Sequence, residues 1–514
     1  MNGAEAMVRA LVSEGVELCF ANPGTSEMHF LEAMDAQPGL RSVLALHETV
    51  ATGAADGYGR LAGRPASTLL HLGPGLANGL SNLHNASRAL TPIVNIVGDH
   101  ATGHRRLDAP LTSDIEALAR TVGACRVVLP ASDVAAETAA AVAQSRGPMP
   151  GVSTLLLPAD TAWSETAVLI DAAAHRARAA VPAEPDADAI AAAAAALRRP
   201  GAALFLGFSA LRGEALELAG RIAEATGASL IAQTTNPVIE RGSGRVRVER
   251  LPFAPDAALR RLASVPALVL AGARAPVAFF ARPGMPGRLW HPACQLIEVT
   301  APHESAIGAL AALCEHVGAP PLTMPARVMQ PPAPTASEHA WIGETLAALM
   351  PEGTIVVDEA MTHGAHISAA TSQAPAHLWL QNMGGSIGYG SPAALGAALA
   401  APGRPVVAIV GDGSAMYTLQ ALWTQARERL QVITLIIANR AYRILQLEAA
   451  RMDIQAPGAA MTQSLQIDGP ELDFVKMAEG MGVFAVRVGN AAQLRSALAE
   501  GFRATGPMLI QVDV

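Results

Sequence analysis

Short apolar runs bounded by Gly, Pro or Asp alternate along this chain with longer Ala- and Leu-rich stretches of helical period. Such alternation predicts βαβ units, whose strands are apolar throughout because helices cover both faces of a parallel sheet. In the first third the expected strands are Leu18–Ala21, Val43–Leu46, Ser67–His71, Ile93–Val97 and Thr154–Leu157. In the middle third they are Ala202–Leu206, Leu230–Ala232, Ala267–Ala271 and Gln295–Val299. The last third offers Thr354–Val357, Val406–Val410, Val432–Ala438, Phe484–Arg487 and Met508–Val512. Two stretches interrupt the pattern and are expected as linkers: Asp171 to Asp188, rich in Ala, Pro and charge, and Met329 to Ser337, where three prolines forbid a helix or central strand. The alanine run Ala191–Ala196 lies inside a helical pattern and reads as plain helix. The pattern therefore predicts an α/β protein of three doubly wound parallel-sheet domains, over residues 1–170, 186–328 and 338–514, the middle one Rossmann-like.

Composition narrows the function. With 514 residues the chain is long enough for about three domains, at roughly 150 residues each. Hydrophobic residues make up 51% and charged residues 16%, ample for large cores and contrary to disorder. A net charge of −8 provides no overall basic field for nucleic acid or an anionic membrane, and 4% aromatics provide few stacking platforms. Lys476 is the only lysine, which disfavours every lysine-dependent mechanism. Cys19, Cys125, Cys294 and Cys314 are scattered, without zinc spacing or a disulfide framework, so reduced thiols are expected. The N-terminus carries acidic residues and no continuous apolar run, so a signal peptide is not expected, and no apolar segment is long enough to span a bilayer. A soluble cytoplasmic enzyme acting on a small molecule is the expectation.

The strongest chemical signal is VVAIVGDGSAMYTLQALWTQAR. The strand Val406–Val410 feeds Gly411-Asp412-Gly413-Ser414, with a helical pattern from about Tyr417. Glycines at a strand-to-helix turn let backbone N–H groups approach a phosphate, and the helix start favours its negative charge. Asp412 supplies a carboxylate for a hard divalent cation bridging that phosphate. A second buried strand ends in Asn439, 27 residues later, which is one βαβ crossover. Both side chains can then stand at the carboxyl edge of one sheet, where the Asn439 amide oxygen completes the shell of a Mg²⁺ held by Asp412.

This constellation resembles the thiamine diphosphate binding motif, which opens with GDG and closes with Asn one crossover later. The resemblance implies Asp412, Asn439 and the carbonyl of Ala441 as Mg²⁺ ligands, with Gly411, Gly413, Ser414, Tyr442 and Thr362 around the cofactor. The family often has two asparagines at the end of the motif; here the first is Ala438. LALHETVATGAADGYGRLAGRPA is similar to the family segment holding the catalytic glutamate, Glu48 here, expected after the strand Val43–Leu46 and paired with the aminopyrimidine. NMGGSIGYGSPAALGAALA resembles the segment under the bent cofactor, with Ile387 as the apolar wedge and the Gly385 carbonyl as hydrogen-bond acceptor. FANPGTSEMHFLEAMD and LLHLGPGLANGLSNLHNA match two further active-site loops. The resemblance spans the chain as pyrimidine-binding, middle and diphosphate-binding domains. It identifies the chain as similar to the acetolactate synthase and benzoylformate decarboxylase superfamily of 2-oxo acid enzymes.

Which member it resembles turns on what meets the enamine after CO₂ leaves, a proton or a second carbonyl. His71, just before the GPG turn, matches a proton-transfer histidine of benzoylformate decarboxylase, and Thr25 and Ser26 match its substrate-contacting hydroxyl loop. That enzyme's second histidine has no counterpart in APVAFFARPG. His100 and His104 fit either a surface pair or a proton relay. The loop ending in DAPLTSD follows acetolactate synthase in style, but Pro110 and Leu111 replace its Phe and Gln. Asp99 is also expected to repel a second 2-oxo acid unless it is paired. With no GxGxxG in the middle domain, FAD is not expected. The chain stops at Val514, at the end of a predicted strand, which favours an open pocket. An acetolactate synthase-like enzyme that decarboxylates a 2-oxo acid is expected, with a benzoylformate decarboxylase-type decarboxylase or aldehyde lyase as the alternative. A non-catalytic paralogue and a flavin oxidase are lesser ones. The resemblance also implies a homodimer or homotetramer, with Glu48 and Asp412 of one site contributed by different chains.

Overall fold

A computed structural model of the chain describes residues 1–166, 185–321, 338–452, 454 and 456–514. The expected linker Met329 to Ser337 lies outside the described residues, as does Asp171 to Asp188 up to residue 184. The described residues fall into two compact units, one of residues 1–166, 338–371 and 382–514, the other of 185–321 with 372–381.

The first sheet is built from β1 (Leu18–Asn22), β2 (Arg41–Leu44), β3 (Ala66–Leu70), β4 (Ile93–Asp99), β5 (Gly123–Val127) and β6 (Val152–Pro158). It runs in the order β2-β1-β3-β4-β6-β5, with every pairing parallel. Its strands bury alternate residues into two different cores. Phe20, Leu70, Val97 and Leu156 join one core, with Val50, Ala54 and Leu76 of the helices Glu48–Ala62 and Leu72–Ala89. Cys19, Leu69, Ile96 and Leu155 join the other, with Met7 and Leu11 of the helix Gly3–Ser13. Apolar residues are therefore needed at every strand position, and the sheet is doubly wound.

The second unit repeats this plan with β7 (Ala203–Leu206), β8 (Ser229–Ala232), β9 (Ile239–Arg241), β10 (Glu249–Arg250), β11 (Ala267–Ala271) and β12 (Gln295–Thr300). The parallel order is β10-β8-β7-β11-β12. Leu204 and Val269 face one core, and Phe205 and Leu268 the other.

The remaining strands are β13 (Ile355–Glu359), β14 (His377–Gln381), β15 (Val406–Gly411), β16 (Val432–Ala438), β17 (Phe484–Val488) and β18 (Met508–Asp513). In the first unit they run β17-β18-β16-β15-β13, all parallel. Strand β14 belongs to the second unit, where it pairs antiparallel with β9. Within the first unit the helices Glu48–Ala62 and Gly390–Ala400 cross closely. A Cβ at Gly57 would lie 2.1 Å from the Ala393 carbonyl oxygen, and one at Gly396 would lie 1.9 Å from that of Ala54. Across the same contact the buried Arg60 forms a bidentate pair with Asp56 at 2.8 and 2.5 Å and donates to the Tyr389 hydroxyl at 2.8 Å. Such a buried pair fixes how the two elements meet more than it adds stability. Among the described residues no helix is long and apolar enough to cross a membrane.

Candidate functional site

The carboxyl ends of β1, β3, β4 and β6 carry one group of functional side chains, as expected for an α/β sheet. After β1 the chain turns through a short 3-10 helix, Thr25–Glu27; after β3, His71 caps the helix Leu72–Ala89. The GPG segment expected as a turn is instead the first turn of that helix, entered through Leu72 at φ 48°. A cavity of about 310 Å³ collects Thr25, Ser26 and His71 with Asp99, His100, His104, Leu111 and Trp163. The His100 and His104 rings stand 5.4 Å apart on its wall, in the same chamber as His71.

The residue missing from the sequence reading is Glu27. It is 2% exposed, and its Oε2 lies 2.9 Å from His71 Nδ1. Ser26 Oγ donates to Glu27 Oε1 at 2.8 Å, and the Gly24 N–H donates to Oε2 at 2.7 Å. An ionised carboxylate only accepts, so His71 Nδ1 carries the proton and Nε2 is left for exchange with a substrate. Gly98 makes room for this acid, since a Cβ there would sit 1.8 Å from Glu27 Oε1.

Glu48 opens the helix Glu48–Ala62 behind the cap residue His47, so it stands at a helix N-terminus and not on a strand end. It is 8% exposed and takes a hydrogen bond from Asn78 Nδ2 at 3.1 Å. Glu48 and His71 flank Gly75, whose Cβ would lie 3.2 Å from Glu48 Oε1 and 3.4 Å from His71 Cβ.

Asp99 meets the condition under which no repulsion is expected of it. Its Oδ2 is paired with the Arg105 guanidinium, and its Oδ1 accepts the His100 N–H at 2.7 Å. The carboxylate is buried and neutralised, so the repulsion expected of it is removed. Pro110 and Leu111 remain as differences from acetolactate synthase.

A second group forms at the carboxyl edge of β15 and β16, which pair parallel from Val406↔Val432 to Gly411↔Ile437. The helix after the GDG begins at Asp412 itself, spanning Asp412–Thr418, and not near Tyr417 as the residue pattern implied. Asp412 is buried; Oδ1 accepts the Gly413 N–H at 2.9 Å and Oδ2 the Arg440 N–H at 2.6 Å. Asn439 Oδ1 accepts the Ala441 N–H at 3.0 Å, so Asp412, Asn439 and Ala441 form one cluster. Ser414 is buried beside them, and Tyr442 packs so closely on Gly413 that a Cβ there would be 2.5 Å from its ring. Burial holds the Asp412 carboxyl above its ordinary range, against the pull of the two N–H groups. A carboxylate, an amide oxygen and a carbonyl are hard oxygen donors that fit Mg²⁺, which binds through one or two carboxylates and takes its other ligands from phosphate and water. Asp412 is the one carboxylate among these three donors, and among the described residues no group of three or more His, Cys, Asp or Glu could hold a metal.

Thr362 lies in the turn after β13. Beside it, burial together with His339, His366 and Arg443 pushes His363 down to about 4, so it is neutral near pH 7. Gly385 adopts φ 80°, and its N–H donates to Asn382 Oδ1 at 2.8 Å; Ile387 is half-buried two residues on. The lining of the 310 Å³ cavity takes in none of this second group.

Glu359, at the end of β13, also escaped the sequence reading. It accepts the Tyr389 N–H at 3.0 Å and the Gly390 N–H at 2.8 Å, at the start of the helix Gly390–Ala400. Burial pushes its carboxyl up to about 7, while those N–H groups and the Asn382 side chain pull it down. A raised acid favours the folded state below its unfolded value of 4.5, and that contribution is lost as pH rises through about 7. Raising the pH from about 5 to 8 should thus cost the wild type on the order of 2–3 kcal/mol more than Glu359→Gln. Urea unfolding of both proteins at the two pH values measures it, and an unchanging difference would contradict it.

Two family models match the chain. The thiamine pyrophosphate enzyme N-terminal binding domain covers residues 1–119, and the corresponding C-terminal binding domain covers residues 361–512. IlvX of Mycobacterium tuberculosis, which carries the name of an acetolactate synthase large subunit, is 49% identical over 100% of this chain and 99% of its own. Benzoylformate decarboxylase of Pseudomonas aeruginosa is 30% identical over 99% of this chain and 98% of its own. Among solved structures, the thiamine diphosphate-dependent 4-hydroxybenzoylformate decarboxylase of Rhodococcus jostii superposes with a TM-score of 0.85 at 24% identity, covering 100% of this chain and 99% of that one. That last likeness bears on the fold alone.

Proposed function

The chain belongs to the thiamine pyrophosphate enzyme family, and from that premise we propose that it decarboxylates a 2-oxo acid and that His71 delivers the proton that releases an aldehyde. It is a thiamine diphosphate-dependent enzyme of the acetolactate synthase-like or benzoylformate decarboxylase-like kind. The single observation that carries the finer reading is the Glu27–His71 pair at 2.9 Å in one cavity with Thr25 and Ser26.

When bound, thiamine diphosphate supplies a carbanion that adds to the 2-oxo group and an electron sink for the departing CO₂. The chain's own residues do the rest. Asp412, Asn439 and Ala441 would hold a Mg²⁺ that neutralises the diphosphate. Glu48 would hold a proton against the aminopyrimidine. Thr25 offers a hydroxyl to the substrate carboxylate, while the Ser26 hydroxyl is donated to Glu27 and lies 3.1 Å from His71 Nδ1, beside the pair that holds the imidazole. His71 Nε2 gives and takes the proton, and Glu27 keeps the imidazole in the tautomer that can do so and steadies its cation when formed. Carboligation to a second carbonyl is the second reading, favoured by Asp99 being paired with Arg105, which leaves room for a second carboxylate.

Incubating the loaded enzyme with a panel of 2-oxo acids and identifying products by mass separates the two. Aldehyde release that falls about 10²–10⁴-fold in His71→Ala supports the proton-transfer reading. Rapid acetolactate from pyruvate favours the ligase, and aldehyde release at full rate in His71→Ala makes His71 a packing residue.

A further inference from the structure

The helix Leu72–Ala89 carries His71 at its cap and, further along, two asparagines that are 0% exposed, Asn82 and Asn85. Asn82 Nδ2 donates to the carbonyl oxygens of Thr49 at 2.9 Å and Gly388 at 3.0 Å. Asn85 Nδ2 donates to Asn82 Oδ1 and to the Ser386 carbonyl oxygen, each at 2.9 Å, and Asn85 Oδ1 accepts the Ser386 N–H at 3.2 Å. On the other side, Thr49 Oγ1 donates to the Asn78 carbonyl, and Asn78 Nδ2 reaches Glu48 at 3.1 Å. Hydrogen bonds joined through Thr49 and Asn78 thus connect Glu48 with the loop that carries Gly385 and Ile387.

The contact is built for amides. A Cβ at Gly384 would lie 2.5 Å from Asn85 Oδ1, and one at Gly53 would lie 2.6 Å from Asn82 Nδ2. The loop belongs to no helix or strand, so without these side chains the Ser386 N–H and the Gly388 C=O would lose the partners they have here, and the Ser386 C=O one of its two. Leucines in their place would fill the volume but impose no register, whereas hydrogen bonds with direction do. Within the loop, Asn382 Oδ1 accepts the Gly385 N–H at 2.8 Å, and Asn382 Nδ2 donates to the Ser386 carbonyl oxygen at 2.5 Å.

We propose that Asn82 and Asn85 are positioning residues that set the shape of the loop from Gly384 to Gly388 before any cofactor arrives, and so place Gly385 and Ile387 for it. What the loop is shaped to hold rests on the functional reading above; that the asparagines shape it does not.

Two variants strike the same contact from opposite sides, Asn85→Ala and Gly384→Ala. In cofactor-free protein, hydrogen exchange followed by mass spectrometry should show the amides of residues 382–390 exchanging at least about tenfold faster in both, with β15 unchanged. Calorimetry should show thiamine diphosphate binding about 10–100-fold more weakly, the loss usual when an outer-layer partner is removed. KM for the 2-oxo acid should stay within about threefold of wild type, because the substrate itself is not touched. Unchanged exchange and affinity in both variants overturn the proposal, and so does a lower melting temperature with neither of them altered. A wild-type protein that fails to bind thiamine diphosphate instead overturns the functional reading and the cofactor half of this inference, while the exchange data still decide the loop half.

Discussion

Asp412→Ala is expected to abolish magnesium-dependent binding of thiamine diphosphate, with a loss of affinity of at least about 100-fold. Asp412 is the only carboxylate in the cluster with Asn439 and Ala441, so alanine leaves a divalent cation with neutral donors facing a diphosphate of several negative charges. The helix Asp412–Thr418 is only seven residues long, and its N-terminus is a weak substitute for a cation. Alanine also strips acceptors from the Gly413 and Arg440 N–H groups. Asp412→Asn is therefore the cleaner companion, since it keeps the shape and removes the charge. Burial raises the Asp412 carboxyl, so protons compete with the metal there, and wild-type affinity should fall more steeply on acidification than that of Asp412→Asn. Calorimetry with and without a chelator tests each part. Wild-type-like affinity in either variant would falsify the assignment of Asp412 as the anchor.

The parts of this fold that the sequence made legible are those whose physics is local or periodic. Strands β11 and β16 match the expected Ala267–Ala271 and Val432–Ala438 to the residue, because burial on both faces demands an uninterrupted apolar run. The strands β5, β9, β10 and β14 were not foreseen. GACRV, IER and HLWLQ mix polar with apolar residues, ER is only two charged residues, and no simple period marks any of them. Two helix starts were misplaced for one reason. Gly73-Pro74-Gly75 and Asp412-Gly413 have poor helix propensity, and tertiary contacts override it: Gly413 must accept the Tyr442 ring, and Gly75 stands between Glu48 and His71. The Asp412–Asn439 pairing was legible because one crossover fixes its spacing. Glu27, Glu359 and the pairing of Asp99 were not, because each depends on a partner supplied by the folded structure: His71 from the next loop but one, the N–H groups of a distant helix start, and Arg105 across a turn.

Glu48→Gln should bind thiamine diphosphate yet exchange its C2 proton about 10²–10⁴-fold more slowly than wild type, the range usual for a lost acid–base group. Glutamine keeps the size of the side chain and can still take the hydrogen bond from Asn78 Nδ2, so binding and folding should change little while the proton is lost. NMR-monitored exchange in deuterium oxide reads the rate without turnover, and a wild-type rate would show that Glu48 is not the activating acid. The same variant decides which chains build a site. If Glu48 of one chain serves the cofactor held by Asp412 of another, a hybrid of Glu48→Gln and Asp412→Ala subunits contains one site with both lesions and one with neither. Random exchange of the two inactive proteins should then restore about a quarter of wild-type activity, since half the dimers are hybrids with one intact site each. If both residues serve a site within one chain, every site in the mixture keeps one lesion, and no activity returns however long the subunits are allowed to exchange.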